Sequence, residues 1–400
     1  MAYKTTKCIV LFLLLAAVNG CAFKSTSFKS KPSLTEARAL LVDKNATEQT
    51  ASLFYNLKRI SEEKILFGHQ EATRQGYGWN WRTGLQTPDV KAVTGQMPAV
   101  YGWDFIDIAS FKPQEEVKKV EASVREQILK GYKRGGLHTF SWHYSNPVSE
   151  GSFYWEKSPV EAVSQILPGG SAHGKFKNSL RQIADFSKSL QVDGQLVPLI
   201  FRPWHEFDGE WFWWGKGHRS PEEFKQLYQF TVTYLRDSLQ VRNMLYAWSP
   251  DCRFSNEEEF LREYPGDAYV DLVGTDNYWD LKEGKDPAVA GAKFKLVSDF
   301  AKSRNKLAAV TESGLLNVSQ ANWYSQMLMK ALQHDKLQLA YVLLWHNRQD
   351  EFWTPFKGHP AEQDFVQFLQ HPYVLTEENI TDLYKIKRQL PYKKKQSLRP

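Results

Sequence analysis

The chain has 400 residues, 42% apolar and 24% charged, the balance of a globular protein with a large core. Its formal net charge of +6 is spread along the sequence, so it offers no concentrated basic face and does not argue for nucleic acid. Three cysteines are too few for a disulfide framework.

The first element is a leader. Lys4 and Lys7 precede an apolar run over residues 8–18, too short to span a bilayer as a helix. Val18-Asn-Gly-Cys21 then resembles a bacterial lipobox, which implies cleavage before Cys21 and acylation of its thiol. Residues 1–20 are thus expected to be a lipoprotein signal peptide, and 21–45 a tether that is Ser/Lys-rich near its start. This predicts a protein lipid-anchored at Cys21 in the envelope of a Gram-negative bacterium, on the periplasmic or the surface face of the outer membrane. With Cys8 removed and Cys21 acylated, Cys252 is the remaining thiol, leaving no intramolecular disulfide and no cysteine-based metal site.

From about residue 50 short apolar runs alternate with helical stretches. The runs cover 64–70, 97–105, 136–145, 196–205, 243–250, 270–278, 306–313 and 339–346. They are continuous rather than alternating, as strands buried on both faces require. Helical stretches lie between them at 113–133, 175–190, 221–239, 289–303 and 322–334. Ser220-Pro-Glu-Glu opens one of these with a cap, a first-turn proline and acids that suit the helix dipole. Eight strands with helical or irregular connections predict an α/β chain forming a single (β/α)8 TIM barrel over residues 46–375, followed by a basic tail over 376–400. An open doubly wound sheet is disfavoured, because no Gly-rich phosphate loop follows the first strand.

Barrel active sites form at the C-terminal strand ends. Those ends carry His69, Asp104, His143, Glu206, Asp251, Asp276, Glu312 and His346, with tryptophans beside several of them. Glu206 ends the fourth run and sits among Trp204, Trp211, Trp213 and Trp214; Glu312 ends the seventh. Aromatic faces suit the apolar faces of sugar rings. Two carboxyl groups about 5–5.5 Å apart are what a retaining glycosidase needs, one as nucleophile and one as acid/base.

Arg202-Pro-Trp-His-Glu206 with Trp211-Phe-Trp-Trp-Gly215 resembles the acid/base segment of glycoside hydrolase family 26, mostly β-mannanases. Val310-Thr-Glu-Ser-Gly314 is similar to that family's nucleophile strand. Phe67-Gly-His-Gln70, Ser141-Trp-His143, Asp276-Asn-Tyr278 and the segment 352–364 match others of its strand ends and loops. The resemblance implies Glu206 as acid/base, Glu312 as nucleophile and hydrolysis of β-1,4-mannosidic bonds with retention. It further implies that His143 binds near the scissile bond, that His205 contacts substrate or orients the acid, and that Tyr278 hydrogen-bonds Glu312. Trp345 becomes the platform of the −1 sugar, Trp211 shapes the leaving-group side, Arg202 fixes a glutamate, and Trp155 is a candidate for a positive subsite. Some members carry Arg directly after the eighth-strand tryptophan, where this chain has His346, so the −2 site and the choice between endo and exo cutting stay open.

A zinc site drawn from His69, His143, His205 and His346 lacks any recognised ligand spacing, and no Gly-x-Ser-x-Gly elbow supports a serine nucleophile. A non-catalytic glycan-binding lipoprotein would keep the aromatics without needing both glutamates. The same barrel and carboxylate pair could also act on β-1,3-xylan or mixed-linkage β-glucan. The expectation is therefore a monomeric endo-1,4-β-mannosidase that needs no cofactor or metal and takes β-mannan or manno-oligosaccharides as substrate, with exo-type release of mannobiose as the variant.

Overall fold

A computed structural model of the chain describes residues 33–386. The leader, Cys21 and most of the basic tail lie outside these residues. Eight parallel strands run in chain order: β1 (Ile65–Gln70), β2 (Val100–Asp104), β3 (Leu137–Ser141), β4 (Leu199–Arg202), β5 (Met244–Trp248), β6 (Leu272–Asn277), β7 (Leu307–Ser313) and β8 (Tyr341–Leu344). Each falls inside a run expected from the sequence. Pairing of β8 with β1, Leu66 to Tyr341 through His69 to Leu344, closes the sheet into a barrel. A short strand β9 (Val374–Leu375) adds to the outside of β1.

The strands are buried on both faces, which explains why their sequences read as unbroken apolar runs. The helix after β4, Pro221–Thr233, begins as its sequence predicts, with Ser220 and Glu223 forming a reciprocal capping box and Pro221 in the first turn. Its last turn widens into a π-helical segment, Tyr234–Ser238.

Two expected boundaries are corrected. The tether does not reach residue 45, because α1 (Leu34–Leu40) and α2 (Glu48–Ile60) fold under the barrel. Ala37, Leu41, Ala46, Leu53, Phe54, Leu57 and Ile60 join strand residues such as Val100, Leu137, Ile200 and Leu245 in one buried cluster that plugs the N-terminal end. Asp271 ties this plug to the sheet, accepting from the backbone N–H of Val42 at 2.7 Å and of Tyr246 at 2.9 Å. The apolar residues of these helices find burial here that a free tether would not provide. At the other end the tail cannot begin at 376, since Thr376, Ile380, Leu383 and Tyr384 are buried, and the Tyr384 hydroxyl donates to the Gly136 carbonyl at 2.6 Å. With the N-terminal mouth closed, the C-terminal mouth is left for chemistry.

Candidate active site

Glu206 and Glu312 converge across the C-terminal mouth. One carboxylate oxygen from each of Glu206, Asp276 and Glu312 lies within 4.8 Å of the others. That is the short separation of a nucleophile and acid/base pair, not the roughly 6.5–9.5 Å that accommodates a water between two carboxyls. The three come from the ends of β4, β6 and β7, brought together only by closure of the barrel.

Arg202, the last residue of β4, lies beneath them. Its Nη2 donates to Glu312 Oε1, and its Nη1 donates to Asp276 Oδ2 at 2.6 Å. Asp276 accepts further bonds from Thr311 Oγ1 at 2.7 Å and Ser249 Oγ at 3.1 Å, and the Tyr278 hydroxyl donates to Glu312 Oε2 at 2.9 Å. Each oxygen of Glu312 therefore has its own donor, which holds the carboxylate in one orientation above the strand end. Arg202 is 3% exposed and reaches no part of the cleft surface; it is a clamp on the carboxylates, not a sugar ligand. Among the described residues this acidic trio is the one group close enough to hold a metal ion, and Arg202 already neutralises two of its members.

The acid/base segment is a strained loop. Trp204 and Glu206 both take left-handed backbone angles, with φ of 56° and 52°. Non-glycine residues adopt these only where the surroundings over-determine them, commonly at functional sites. The surroundings here are the tryptophans. Trp204 Nε1 donates to Thr231 Oγ1 at 3.0 Å, Trp213 Nε1 to the Tyr144 carbonyl at 2.7 Å, and Trp214 Nε1 to the His205 carbonyl at 2.9 Å. All three rings are fully buried, so they build the loop and leave sugar contact to Trp211. Trp211 Nε1 donates to Glu206 Oε2 at 2.7 Å. Gly209 is required beneath it, because a Cβ there would lie 2.2 Å from the Trp211 ring.

The electrostatics of Glu206 suit an acid. Burial, reinforced by the charges of Asp276, Glu312 and Asp251, pushes Glu206 well above the usual carboxylate range against the opposing bond from Trp211. A raised pKa is the direction that suits an acid catalyst. Burial, with the nearby Glu312 charge, likewise keeps the Tyr278 phenol protonated and able to donate.

His143 and His205 form a buried pair. Asp104 accepts from the His143 backbone N–H at 3.1 Å and meets His143 Nδ1 at 2.5 Å, while His143 Nε2 faces His205 Nε2 at 3.2 Å. Although burial pushes Asp104 up, the bonds and charge of His143 hold it below its ordinary value. His205 is buried behind His143, and burial with the charge of Arg202 drives its imidazole well below the ordinary value, so it is neutral. His205 backs His143, which lines the cleft.

The cleft has a volume of about 570 Å³, and Trp211, Phe212, Trp345 and Trp353 are among the aromatic residues that line it. Tyr154 lines it; Trp155 does not. Trp155, in the single 3-10 turn Trp155–Lys157, stacks on His218 with ring centres 3.7 Å apart, next to the cleft-lining Tyr154. His346 packs against Trp345 and meets Trp353 edge-on, and burial lowers it to about 3, a neutral ring where a cationic Arg was the alternative. Asp104, Asp276, Ser249 and Thr311 carry supporting roles that motif reading did not assign. Their signal in the sequence was only their place at strand ends.

Comparison with known proteins agrees with this geometry. A family model described as glycosyl hydrolase family 26 matches residues 42–379. The chain is 35% identical over 352 residues to a mannan endo-1,4-β-mannosidase of Bifidobacterium adolescentis, covering 82% of this chain and 34% of that protein, so it spans about a third of that relative's length. A mannan endo-1,4-β-mannosidase of Bacillus subtilis is 28% identical, with 86% of this chain and 89% of that one aligned. Among solved structures, GH26C of a Muricauda species superposes with a TM-score of 0.85 at 37% identity, covering 90% of this chain and all of that one. A GH26 β-mannanase of Bacteroides ovatus gives 0.77 at 34% identity, covering 86% and 99%. The family match runs through both glutamate segments and the closed barrel that joins them, and the chain belongs to glycosyl hydrolase family 26.

Proposed function

We propose that this protein is a retaining endo-1,4-β-mannosidase acting on mannan and related polysaccharides. The observation that carries the reading is the Glu206–Glu312 pair, with an oxygen of each within 4.8 Å of the other, set in an aromatic-lined cleft with Glu206 pushed above the usual carboxylate range and Glu312 clamped by Arg202 and Tyr278. Glu312 attacks the anomeric carbon while the Glu206 proton passes to the departing oxygen. Loss of the leaving sugar and conversion of Glu312 to an ester remove the Glu312 charge that helps hold Glu206 protonated. Glu206 can then take a proton from water, which releases the sugar with its β-configuration retained. Two relatives carry the name mannan endo-1,4-β-mannosidase, which supports mannan as the polymer.

The test is hydrolysis of linear mannan, galactomannan, β-1,3-xylan and mixed-linkage glucan, with product sizes followed in time. Mannan should be cut fastest and into mixed lengths; early mannobiose alone would replace endo by exo action. Proton NMR of the first product should show the β-anomer, and an initial α-anomer would rule out retention. The enzyme acts as a monomer carried on a lipid at Cys21. Support for the lipid is the lipobox-like sequence, and labelled palmitate should enter the wild type and be lost in Cys21→Ser.

A further inference from the structure

We propose that Arg253, in the loop after β5, is a positioning residue for the acid/base, steadying the Trp211 indole that bonds Glu206 and balancing the charge of Asp251 beside it. This rests on the reading of Glu206 as the acid of a β-mannanase. Arg253 places its guanidinium 4.9 Å from the centre of the Trp211 ring. Its Nε lies 3.4 Å from Asp251 Oδ2, and the Asp251 side chain is 13% exposed where that of Arg253 is 54% exposed. The cation is thus held from two directions, by the ring face and by the carboxylate.

The backbone that carries Asp251 and Arg253 is laced to the acid/base loop and to β6. The Glu206 N–H donates to the Ser249 carbonyl at 3.0 Å, and the Asp251 N–H donates to Asp208 Oδ1 at 2.7 Å. On the other side the Asp276 N–H donates to the Pro250 carbonyl at 2.9 Å, and Lys293 Nζ donates to the Cys252 carbonyl at 2.6 Å. From this fixed backbone the Arg253 side chain reaches across to Trp211. The indole has a geometry to keep, because its Nε1 donates to Glu206 Oε2 and a turned ring would break that bond. Gly209 packs against the six-membered ring, and Arg253 adds the charged contact.

The charges around Glu206 make Arg253 more than a brace. After burial, the charges of Asp276, Glu312 and Asp251 raise the Glu206 carboxyl, and the Trp211 bond opposes them. Arg202 lies beneath it, the phenols of Tyr278 and Tyr154 line the same cleft, and the His143–His205 pair adjoins it in the chain. Arg202 neutralises Asp276 and Glu312, whereas the cation of Asp251 is Arg253. Asp251 is pushed up by burial, against the Cys252 N–H and the Arg253 charge. Asp208, two residues past Glu206, is pushed up to about 7 by burial and then by the Asp251 charge. Lys216, Glu259, Arg262 and Glu263 line a pocket of about 260 Å³ with Arg253, and Glu263 is already paired with Arg219 at 2.5 Å. Removing Arg253 leaves Asp251 uncompensated and loosens the Trp211 donor. Both changes favour the protonated form of Glu206, so they act in one direction.

The experiment measures the pH profile of kcat/KM on mannohexaose for the wild type, Arg253→Met, Arg253→Lys, Asp251→Asn and the double variant Arg253→Met/Asp251→Asn. Activity is lost as pH rises through the Glu206 value, so the basic limb reports that carboxyl. Arg253→Met should move the limb up by about half a pH unit, the modest size expected of a solvent-exposed cation, and about 1 M salt should shrink the shift. Asp251→Asn should move the limb down, and Arg253→Met should shift it less than half as far in that background as in the wild type. Arg253→Lys keeps the charge and should keep the wild-type limb. Arg253 is exposed, so its variants read the site without unfolding the loop. A limb unmoved by Arg253→Met overturns the proposal, and a raised KM with the limb in place would make Arg253 a substrate contact instead. A shift undiminished by Asp251→Asn, or one abolished by Asp208→Asn, also overturns it, because Asp251 would then not carry the effect. A wild type inactive on mannohexaose overturns the β-mannanase reading instead, and the same profiles are then taken on the glycan it does cleave.

Discussion

Replacing Arg202 by methionine removes a buried cation while leaving Asp276 and Glu312 facing each other. Asp276 is 0% and Glu312 3% exposed, so water does little to replace the lost guanidinium. Removing one partner of a buried, hydrogen-bonded ion pair costs about 3–5 kcal/mol. That is a large fraction of the roughly 5–15 kcal/mol that holds a typical domain folded. R202M should therefore fold but unfold at a clearly lower urea concentration, followed by fluorescence of the buried tryptophans. The loss should depend on pH. Burial, then the Glu312 charge, raises the Asp276 carboxyl well above its ordinary value even with Arg202 opposing, and without Arg202 it rises further. In the unfolded chain an aspartate ionises near about 3.9, so above that pH the unfolded state releases a proton that the folded state keeps, and stability falls as pH rises through the folded value. R202M should thus be closest to wild type in acid and furthest from it at neutral pH, and adding Asp276→Asn should recover part of the loss. A decrease below about 1 kcal/mol with no pH dependence, the behaviour of an exposed pair, would refute the picture of a dry clamp.

Glu206→Ala should slow mannan hydrolysis by roughly 10²–10⁴-fold, the usual contribution of a general acid. It should slow the first step of a dinitrophenyl glycoside far less, because that leaving group needs no proton; equal losses on both substrates would contradict the acid assignment. The basic limb of the kcat/KM profile should follow the raised Glu206 carboxyl, with activity lost as pH rises through it. The Trp211 N–H favours the ionised form, so Trp211→Phe should move that limb to higher pH, and a shift the other way would show that the bond acts differently. Gly209→Ala places a methyl 2.2 Å from the Trp211 ring and should lower kcat/KM, with an overpacking cost of about 1–3 kcal/mol in stability; an unchanged enzyme would mean that the loop yields freely.

The barrel and both glutamates were legible in the sequence for local reasons. A strand buried on both faces must be a continuous apolar run, and the residue after such a run must sit at a barrel mouth, so Glu206 and Glu312 could be placed before any contact was known. Among the tryptophans beside Glu206, the family resemblance singled out Trp211 for the leaving-group side, and Trp213 and Trp214 are buried braces. That division depends on which way a strained turn points each indole. The same limit hid α1 and α2 beneath the barrel, where only the assembled strand ends offer an apolar surface. Asp276 and Asp104 are more distant from sequence reasoning, because their partners Arg202, Thr311 and His143 lie on other strands. Chain order settles which residues reach the mouth. Closure of β8 on β1 settles which of them meet, and so which carboxylates are pushed up, because burial and neighbouring charge exist only in the closed barrel.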